Sequence, residues 1–486
     1  MKTEIRVENA TEKEELPVPG LGVRHIQVGL LFSLLAIAYG MRVNLSVAIV
    51  AMTDVSTSSN PDVPTYDWDN KSVILSSFFW GYITLQIFAG QLGNTYGTKW
   101  IVFAAMFVNA SGCMLTPLLA NTVGSYGVMG CRIVQGMSQG FFFPSVHNVL
   151  GQWAPLKERS FLGTIAFAGP SFGTIVAMPL TGYIAASWSG WPVSFYLFGC
   201  LGYCWMLAWA LAGANNPAVH PNITVREREY IQKSLSVTKD EKVLITPWKG
   251  IFTSIPMWAI VVAMFGQNWG YSTLLTEMPT YMSKVMKFDM HSNGALSAAP
   301  YLASFIASFV FGAISDFIIN SKYVSLENSR KLFNTIGTVV PSMALVILGF
   351  LPEDWIALSV MMLVIAVGVN AAVFVGFQIN PVDLSPKFSG IIMGIGNGSS
   401  NIFSIIAPLM VQFLVTDETS RSQWRIIFII AACVYSASNV FYVIFASGDE
   451  QWWNKSAEGN VEEESNQMDE RIIIRTRIAH DNYIKK

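Results

Sequence analysis

The sequence predicts an all-α membrane protein: about twelve transmembrane helices arranged as two six-helix pseudo-repeats. Three observations carry that expectation. The 486 residues are 52% hydrophobic and only 13% charged, where a soluble domain carries about 25% charged residues. The apolar runs reach roughly 20 residues, the length that crosses a hydrocarbon core as a helix, and they lack the short alternating segments of a membrane barrel. Lys and Arg gather in every second loop, which is the positive-inside pattern. The formal net charge of -2 carries little information, because its partition between the two sides matters more than its sum.

Taken in order, residues 1–23 form a polar, partly acidic cytosolic tail with no cleavable signal pattern and no acidic dileucine sorting signal, which favours the plasma membrane over lysosomal or vesicular membranes. Residues 24–212 form an N-terminal six-helix bundle, with spans at 25–52, 72–93, 100–119, 123–148, 160–185 and 191–212. Residues 213–254 form a cytosolic linker, with Arg226-Glu227-Arg228-Glu229 and Lys239 to Lys242 on a solvated amphipathic helix or tether. Residues 255–447 form a C-terminal six-helix bundle, with spans at 256–282, 292–317, 332–352, 355–379, 388–414 and 425–447. Residues 448–486 are a charged, mobile cytosolic tail. Inner segments hold Lys99, Lys157, Arg159, the basic residues of 226–249, Lys322, Arg330, Lys331 and Lys387. Outer loops hold only Lys71, Lys284, Lys287, Arg421 and Arg425. Both termini are therefore expected in the cytosol, and the sequon at Asn70 is expected outside and glycosylated. Sequons at Asn109 and Asn397 fall inside spans, and those at Asn222 and Asn454 require the opposite topology. The cysteines (Cys113, Cys131, Cys200, Cys204, Cys433) lie in apolar segments and read as small buried hydrophobes.

The fourth span carries the strongest functional signal. Within Gly130–His147 it holds Arg132, Gln135 and Gln139. At about 100° per residue, Arg132, Gln139 and Phe143 fall within about 20° of one line. An arginine at mid-bilayer costs roughly 2.5–3.5 kcal/mol on the gentlest scale, so it is placed to face a cavity, a substrate or backbone carbonyls. The first span contributes Tyr39, Arg42, Asn44 and Ser46. Two intramembrane cations with no acid in the helix middles favour an anionic substrate, and a planar guanidinium suits carboxylate or phosphate. No Walker loop, metal cluster or nucleophile–base set is present, so no enzyme is predicted.

The halves repeat weakly. Trp153-Ala154-Pro155 with Gly163 and Gly169 parallels Leu384-Ser385-Pro386 with Gly394 and Gly398. Gly90-x-x-x-Asn94 parallels Gly312-x-x-x-Asp316. Parallel six-span repeats point to a transporter whose halves rock about a midplane site.

Several stretches carry a family resemblance: Arg42-Val43-Asn44-Leu45-Ser46-Val47-Ala48-Ile49-Val50, Ser77-Phe78-Phe79-Trp80-Gly81-Tyr82, Trp153-Ala154-Pro155-Leu156-Lys157-Glu158-Arg159-Ser160, Asn268-Trp269, Pro279-Thr280-Tyr281-Met282 and Phe445-Ala446-Ser447-Gly448. The layout resembles the major facilitator superfamily. These stretches resemble its sodium–phosphate, sialin and vesicular glutamate transporter family, and most of all the invertebrate inorganic phosphate cotransporters. The resemblance implies secondary active transport of small anions, inorganic phosphate or organic, by alternating access. It also implies that Arg42 and Arg132 match the arginines that contact the anion.

Three departures matter. The sialin and vesicular glutamate branches carry a glutamate where this chain has Gln139, and Gln does not titrate. Vesicular glutamate transporters carry an arginine at Gln267. The superfamily's loop motif has an acid at Asn94, so that gate latch should be weaker here. Sodium coupling is therefore expected, with a proton-coupled sialin-like or vesicular organic-anion transporter, or an anion channel in the same fold, as the alternatives. The substrate-binding set is then Arg42, Arg132, Gln139, Tyr39, Asn268 and Tyr271. The ion-coupling candidates are Asn44, Ser46, Asn397, Asn401 and Glu277, and the gating candidates are Asn94, Asp316 and His147. No cofactor or metal is expected beyond sodium as a co-substrate. The expected partners are a small anion and the lipid bilayer, with no nucleic acid, and the chain is expected to be a monomer.

Overall fold

A computed structural model gives the architecture. It describes residues 20–53, 60–68, 70–235, 246–273, 281, 284–287, 294–352, 354–417 and 419–454. Glu277 and most of the Pro279–Met282 motif lie outside these residues. The described residues form helices and turns and no strand.

The first half runs α1 (Val23–Thr53), α2 (Lys71–Tyr96), α3 (Thr98–Thr122), α4 (Ser125–Gln139), α5 (Phe142–Trp153), α6 (Arg159–Ala186) and α7 (Gly190–Ala212). Next come α8 (Val225–Leu235) and the short α9 (Trp248–Thr253). The second half runs α10 (Ile255–Ser272), α11 (Gly294–Asn320), α12 (Leu326–Phe350), α13 (Ile356–Asn370), α14 (Asn380–Leu384), α15 (Ser389–Leu414) and α16 (Arg421–Phe445). Among the described residues, eight helices are long and apolar enough to cross a membrane, and nine if α2, bent by 51°, is one span. The α4–α5 passage, α10 and α15 bring the passages to twelve.

Two expected spans are broken. The fourth divides at Gly140–Phe141 into α4 and α5, with Pro144 in the first turn of α5, where a missing N–H costs nothing. The tenth ends at Asn370, continues as a 3-10 turn over Ala371–Phe374, and resumes at α14 with Pro381 in its first turn. The chain at the breaks, Phe141–Phe143 and Ala371–Phe374, is apolar, so hydropathy alone reads on through both.

Inside a bilayer, lipid is as apolar as leucine, so close packing holds the helices together. Glycines allow that packing here. A methyl group on Gly136 would lie 2.0 Å from the Phe78 carbonyl oxygen, and one on Gly81 would lie 1.9 Å from that of Ile133, so α2 and α4 touch backbone to backbone. Gly169 and Gly173 bring α6 equally close to the Phe32 and Ala36 carbonyls of α1.

The end of the bundle carrying residues 20–24 and 446–454, here the terminal face, joins the two halves. Asn94 donates to the Lys387 carbonyl at 2.8 Å, just before α15. In the matching place, Asp316 of α11 accepts from the Ser160 and Phe161 amides at 3.0 and 2.7 Å, at the start of α6. An acid there suits the positive end of the helix dipole. Asp383 of α14 takes Arg159 at 3.0 Å and Arg330 at 2.7 Å, all three buried. His147 of α5 lies 2.8 Å from the Gln378 carbonyl across the interface. A methyl group on Gly151 would lie 2.3 Å from the Pro386 carbonyl oxygen, and one on Gly90 would lie 2.4 Å from that of Gly390.

Four expectations need correction here. The linker helix is not simply solvated: α8 buries Glu227, Tyr230 and Ile231. Glu227 accepts from the Val23 and Arg24 amides at 3.0 and 3.1 Å and from the Arg24 guanidinium, which also pairs with Glu158 at 2.7 Å. Burial pushes the neighbouring Tyr230 phenol up to about 12, so it stays neutral over Arg24. The C-terminal tail does not leave the fold at Gly448. Trp453 is fully buried and packs on Phe388, and Asn454 is buried and bonds to Ser385. Of the cysteines, Cys113 and Cys131 are buried, whereas Cys200, Cys204 and Cys433 sit on exposed helix faces. Finally, the α4–α5 break ends the single helical face that was to carry Arg132, Gln139 and Phe143 together.

Candidate functional site

Arg132 reaches the site from α4, which packs closely on α2 where Gly81 faces Ile133 and Gly136 faces Phe78. Arg42 reaches it from the middle of α1. Both guanidiniums lie over the ring of Phe78, at 4.9 Å for Arg42 and 4.8 Å for Arg132. Arg42 also lies over Phe79 at 4.6 Å, Tyr39 at 5.2 Å and Tyr82 at 5.8 Å. Arg132 is buried and donates one weak bond, 3.3 Å, to the Arg42 carbonyl, and its Nε has no partner. Neither guanidinium meets a carboxylate among the described residues; the acids of the ion pairs are Glu158, Glu227, Glu327 and Asp383. Cation–π contacts contribute about 2 kcal/mol when desolvated. They neutralise no charge, so the pocket stays electropositive.

The remaining candidates separate. Tyr39 packs edge-on against Phe143 at 6.4 Å and belongs to the cage. Tyr271 lies within electrostatic range of Tyr39 and Arg42 from the opposite half. Asn268 donates to Ser400 at 2.5 Å. Asn397 donates to the Tyr82 hydroxyl at 3.0 Å, and Asn401 donates back to the Asn397 carbonyl at 2.6 Å, so the second half meets the cage through α15. Gln139 is not paired with Arg132. Its amide donates to the Ala38 carbonyl at 2.9 Å and to Asn109 at 3.2 Å, clamping α1, α3 and α4. Asn44 points away from Arg42 and accepts from Thr181 at 2.8 Å between α1 and α6, while Ser46 is exposed. Gln267 forms a reciprocal amide pair with Asn370. Asn70 is half-buried and donates to Ser125 at 3.3 Å.

The aromatic floor, Phe78, Phe79 and Tyr82, is what residue-by-residue reading passes over. Apolar rings in a membrane helix read as lipid-facing or core. The available signal was their spacing on α2 beside an acid-free pair of arginines. As a whole the site can grip a compact anion by guanidinium N–H edges. Among the described residues it holds no nucleophile–base pair that would change an anion chemically.

Comparison with known proteins bears on the family and the fold. The profile of the Major Facilitator Superfamily matches residues 30–408. A Drosophila ananassae protein named "Putative inorganic phosphate cotransporter" is 39% identical over 453 residues, covering 88% of this chain and 94% of its own. The Danio rerio vesicular glutamate transporter 3 is 37% identical over 430 residues, covering 86% of this chain and 72% of its own. Among solved structures, the proton:xylose symporter XylE superposes with a TM-score of 0.67 at 14% identity, over 89% of this chain and 98% of that one. A bacterial homologue of the iron transporter ferroportin, in an outward-facing state, gives 0.61 at 12% identity, over 86% and 99%. At that identity the likeness is one of fold. The chain is a transporter, not an enzyme, and belongs to the Major Facilitator Superfamily, in the family that holds the phosphate cotransporters and vesicular glutamate transporters.

Proposed function

We propose that the protein is a secondary active transporter of small anions, inorganic phosphate or an organic carboxylate, working by alternating access and coupled to sodium. The observation that carries this is the pair Arg42 and Arg132, side by side on one aromatic ring with no carboxylate partner among the described residues. Two like charges in low dielectric repel, and an anion between them relieves both. Inorganic phosphate is favoured by the phosphate cotransporter relatives and by Gln267, which is neutral and tied to Asn370. Sodium is favoured because Gln139 carries no proton, and neutral oxygens at Asn397, Asn401, Asn268 and Ser400 cluster beside the cage. The plasma membrane is the proposed residence, with both termini in the cytosol and Asn70 glycosylated outside. The vesicular relatives point to a vesicle instead, and surface biotinylation separates the two.

One observation favours proton coupling. Both ring nitrogens of buried His147 face carbonyl oxygens, Phe143 at 2.9 Å and Gln378 at 2.8 Å. Neutral imidazole has one donor, so only the protonated ring satisfies both. Uptake of labelled phosphate and of L-glutamate into proteoliposomes, under separately imposed sodium and proton gradients, tests the proposal. Accumulation driven by sodium and nearly flat between about pH 6 and 7.5 is expected, since no raised carboxylate titrates at Gln139. Full activity in choline with a steep acid rise refutes sodium and favours His147. Flux without uphill accumulation makes the protein a channel.

A further inference from the structure

Phe78 carries no polar atom, yet both site cations rest on it. Its ring is fully buried, 4.9 Å from the Arg42 guanidinium carbon and 4.8 Å from that of Arg132. We propose that Phe78 is a positioning residue for the anion site, holding the two guanidiniums over its ring and leaving their N–H groups to the anion. This rests on the reading of Arg42 and Arg132 as that site.

Two arginines close together need something to offset their repulsion. A carboxylate would do so through the N–H edges, which are the donors a substrate needs. An aromatic ring attracts a cation at the ring face. A phenyl ring carries no acceptor oxygen, so it leaves the guanidinium donors to a ligand. Phe78 thus stabilises the cations without competing for the ligand.

The ring is fixed in place from two sides. Its own backbone sits against Gly136, where a methyl group would lie 2.0 Å from the Phe78 carbonyl oxygen. Gly81 makes the reciprocal contact with Ile133, the neighbour of Arg132. Phe79 stands edge-on to the ring at 5.7 Å, and Tyr82 stacks on it at 5.7 Å. Arg42 has three further rings around it, whereas Phe78 is the one ring over Arg132 among the described residues. Weakening the Phe78 face should therefore fall mainly on Arg132.

The test replaces Phe78 in the full-length chain with phenylalanines bearing one, two and three ring fluorines. These drain the negative ring face with little change of shape. Uptake of labelled inorganic phosphate and of L-glutamate is measured in proteoliposomes beside the melting temperature. KM for the transported probe should rise with each fluorine, about tenfold across the series, with kcat and melting temperature nearly constant. A flat KM, or a rise that tracks loss of melting temperature, overturns the proposal. Arg132→Ala separates the two readings. Loss of uptake in Arg132→Ala beside a flat fluorine series overturns the role of Phe78 alone. Retained uptake in Arg132→Ala, or transport of neither probe by the unmodified chain, overturns the anion-site reading and this inference with it.

Discussion

Arg132 and Gln139 share a helix but do different work. Arg132 has a free Nε and lies over the Phe78 ring, and Gln139 is engaged with Ala38 and Asn109. Arg132→Lys keeps the charge and loses the planar fork, so uptake should fall by about tenfold or more at equal surface expression. Gln139→Glu sets a buried carboxyl against the Ala38 carbonyl and the Asn109 oxygen, both acceptors. Only the protonated acid can donate there, and desolvation raises its pKa. The variant should therefore transport at about pH 6 and lose activity toward about pH 7.5, read as initial uptake rates at the two values. The arginines were legible in the sequence because a cation inside an apolar run is costly and conspicuous. The partners of Gln139 were not, because Ala38 contributes a backbone carbonyl and Asn109 comes from another helix.

Among the elements, the terminal face is where the two halves close on each other. Gly151 of α5 fits under the Pro386 carbonyl with no room for a side chain. Gly151→Val should hold that face open, cutting net uptake about tenfold while phosphate still binds, and exposing a cysteine placed at Asn94 to a membrane-impermeant thiol reagent from the tail side. Asp383 is the shared counter-ion of buried Arg159 and Arg330. Asp383→Asn leaves both cations uncompensated at a cost of about 3–5 kcal/mol, to be read as a lowered melting temperature in detergent. The repeat of Gly90-x-x-x-Asn94 and Gly312-x-x-x-Asp316 could be read in advance, and the two residues do meet the starts of α15 and α6. The breaks in the fourth and tenth passages could not, since the chain at each, Phe141–Phe143 and Ala371–Phe374, is itself apolar. The buried strap around Trp453 escaped for a related reason: its anchoring contacts to Gly250 and Phe388 are distant in sequence, and its charged neighbours resemble a tail.

At the scale of the whole molecule, composition and periodicity were enough to read an all-helical membrane fold, because the bilayer permits few alternatives. Orientation is a separate matter, and glycan mapping reports it. Asn70 lies at the start of α2 and Asn222 is exposed near the opposite end, so the two sequons are on opposite sides. Asn70→Gln should abolish a glycosidase-sensitive gel shift. A shift that survives it and disappears in Asn222→Gln inverts the topology. The proposed function rests on a smaller feature, two cations held on one ring with no acid beside them among the described residues. The most direct measurement is phosphate and L-glutamate uptake by Arg132→Ala at matched surface expression, beside the unmodified chain. Loss of at least about nine-tenths of the transported anion's uptake is predicted, since an intramembrane arginine is retained for its ligand. Uptake near the unmodified rate would contradict the account.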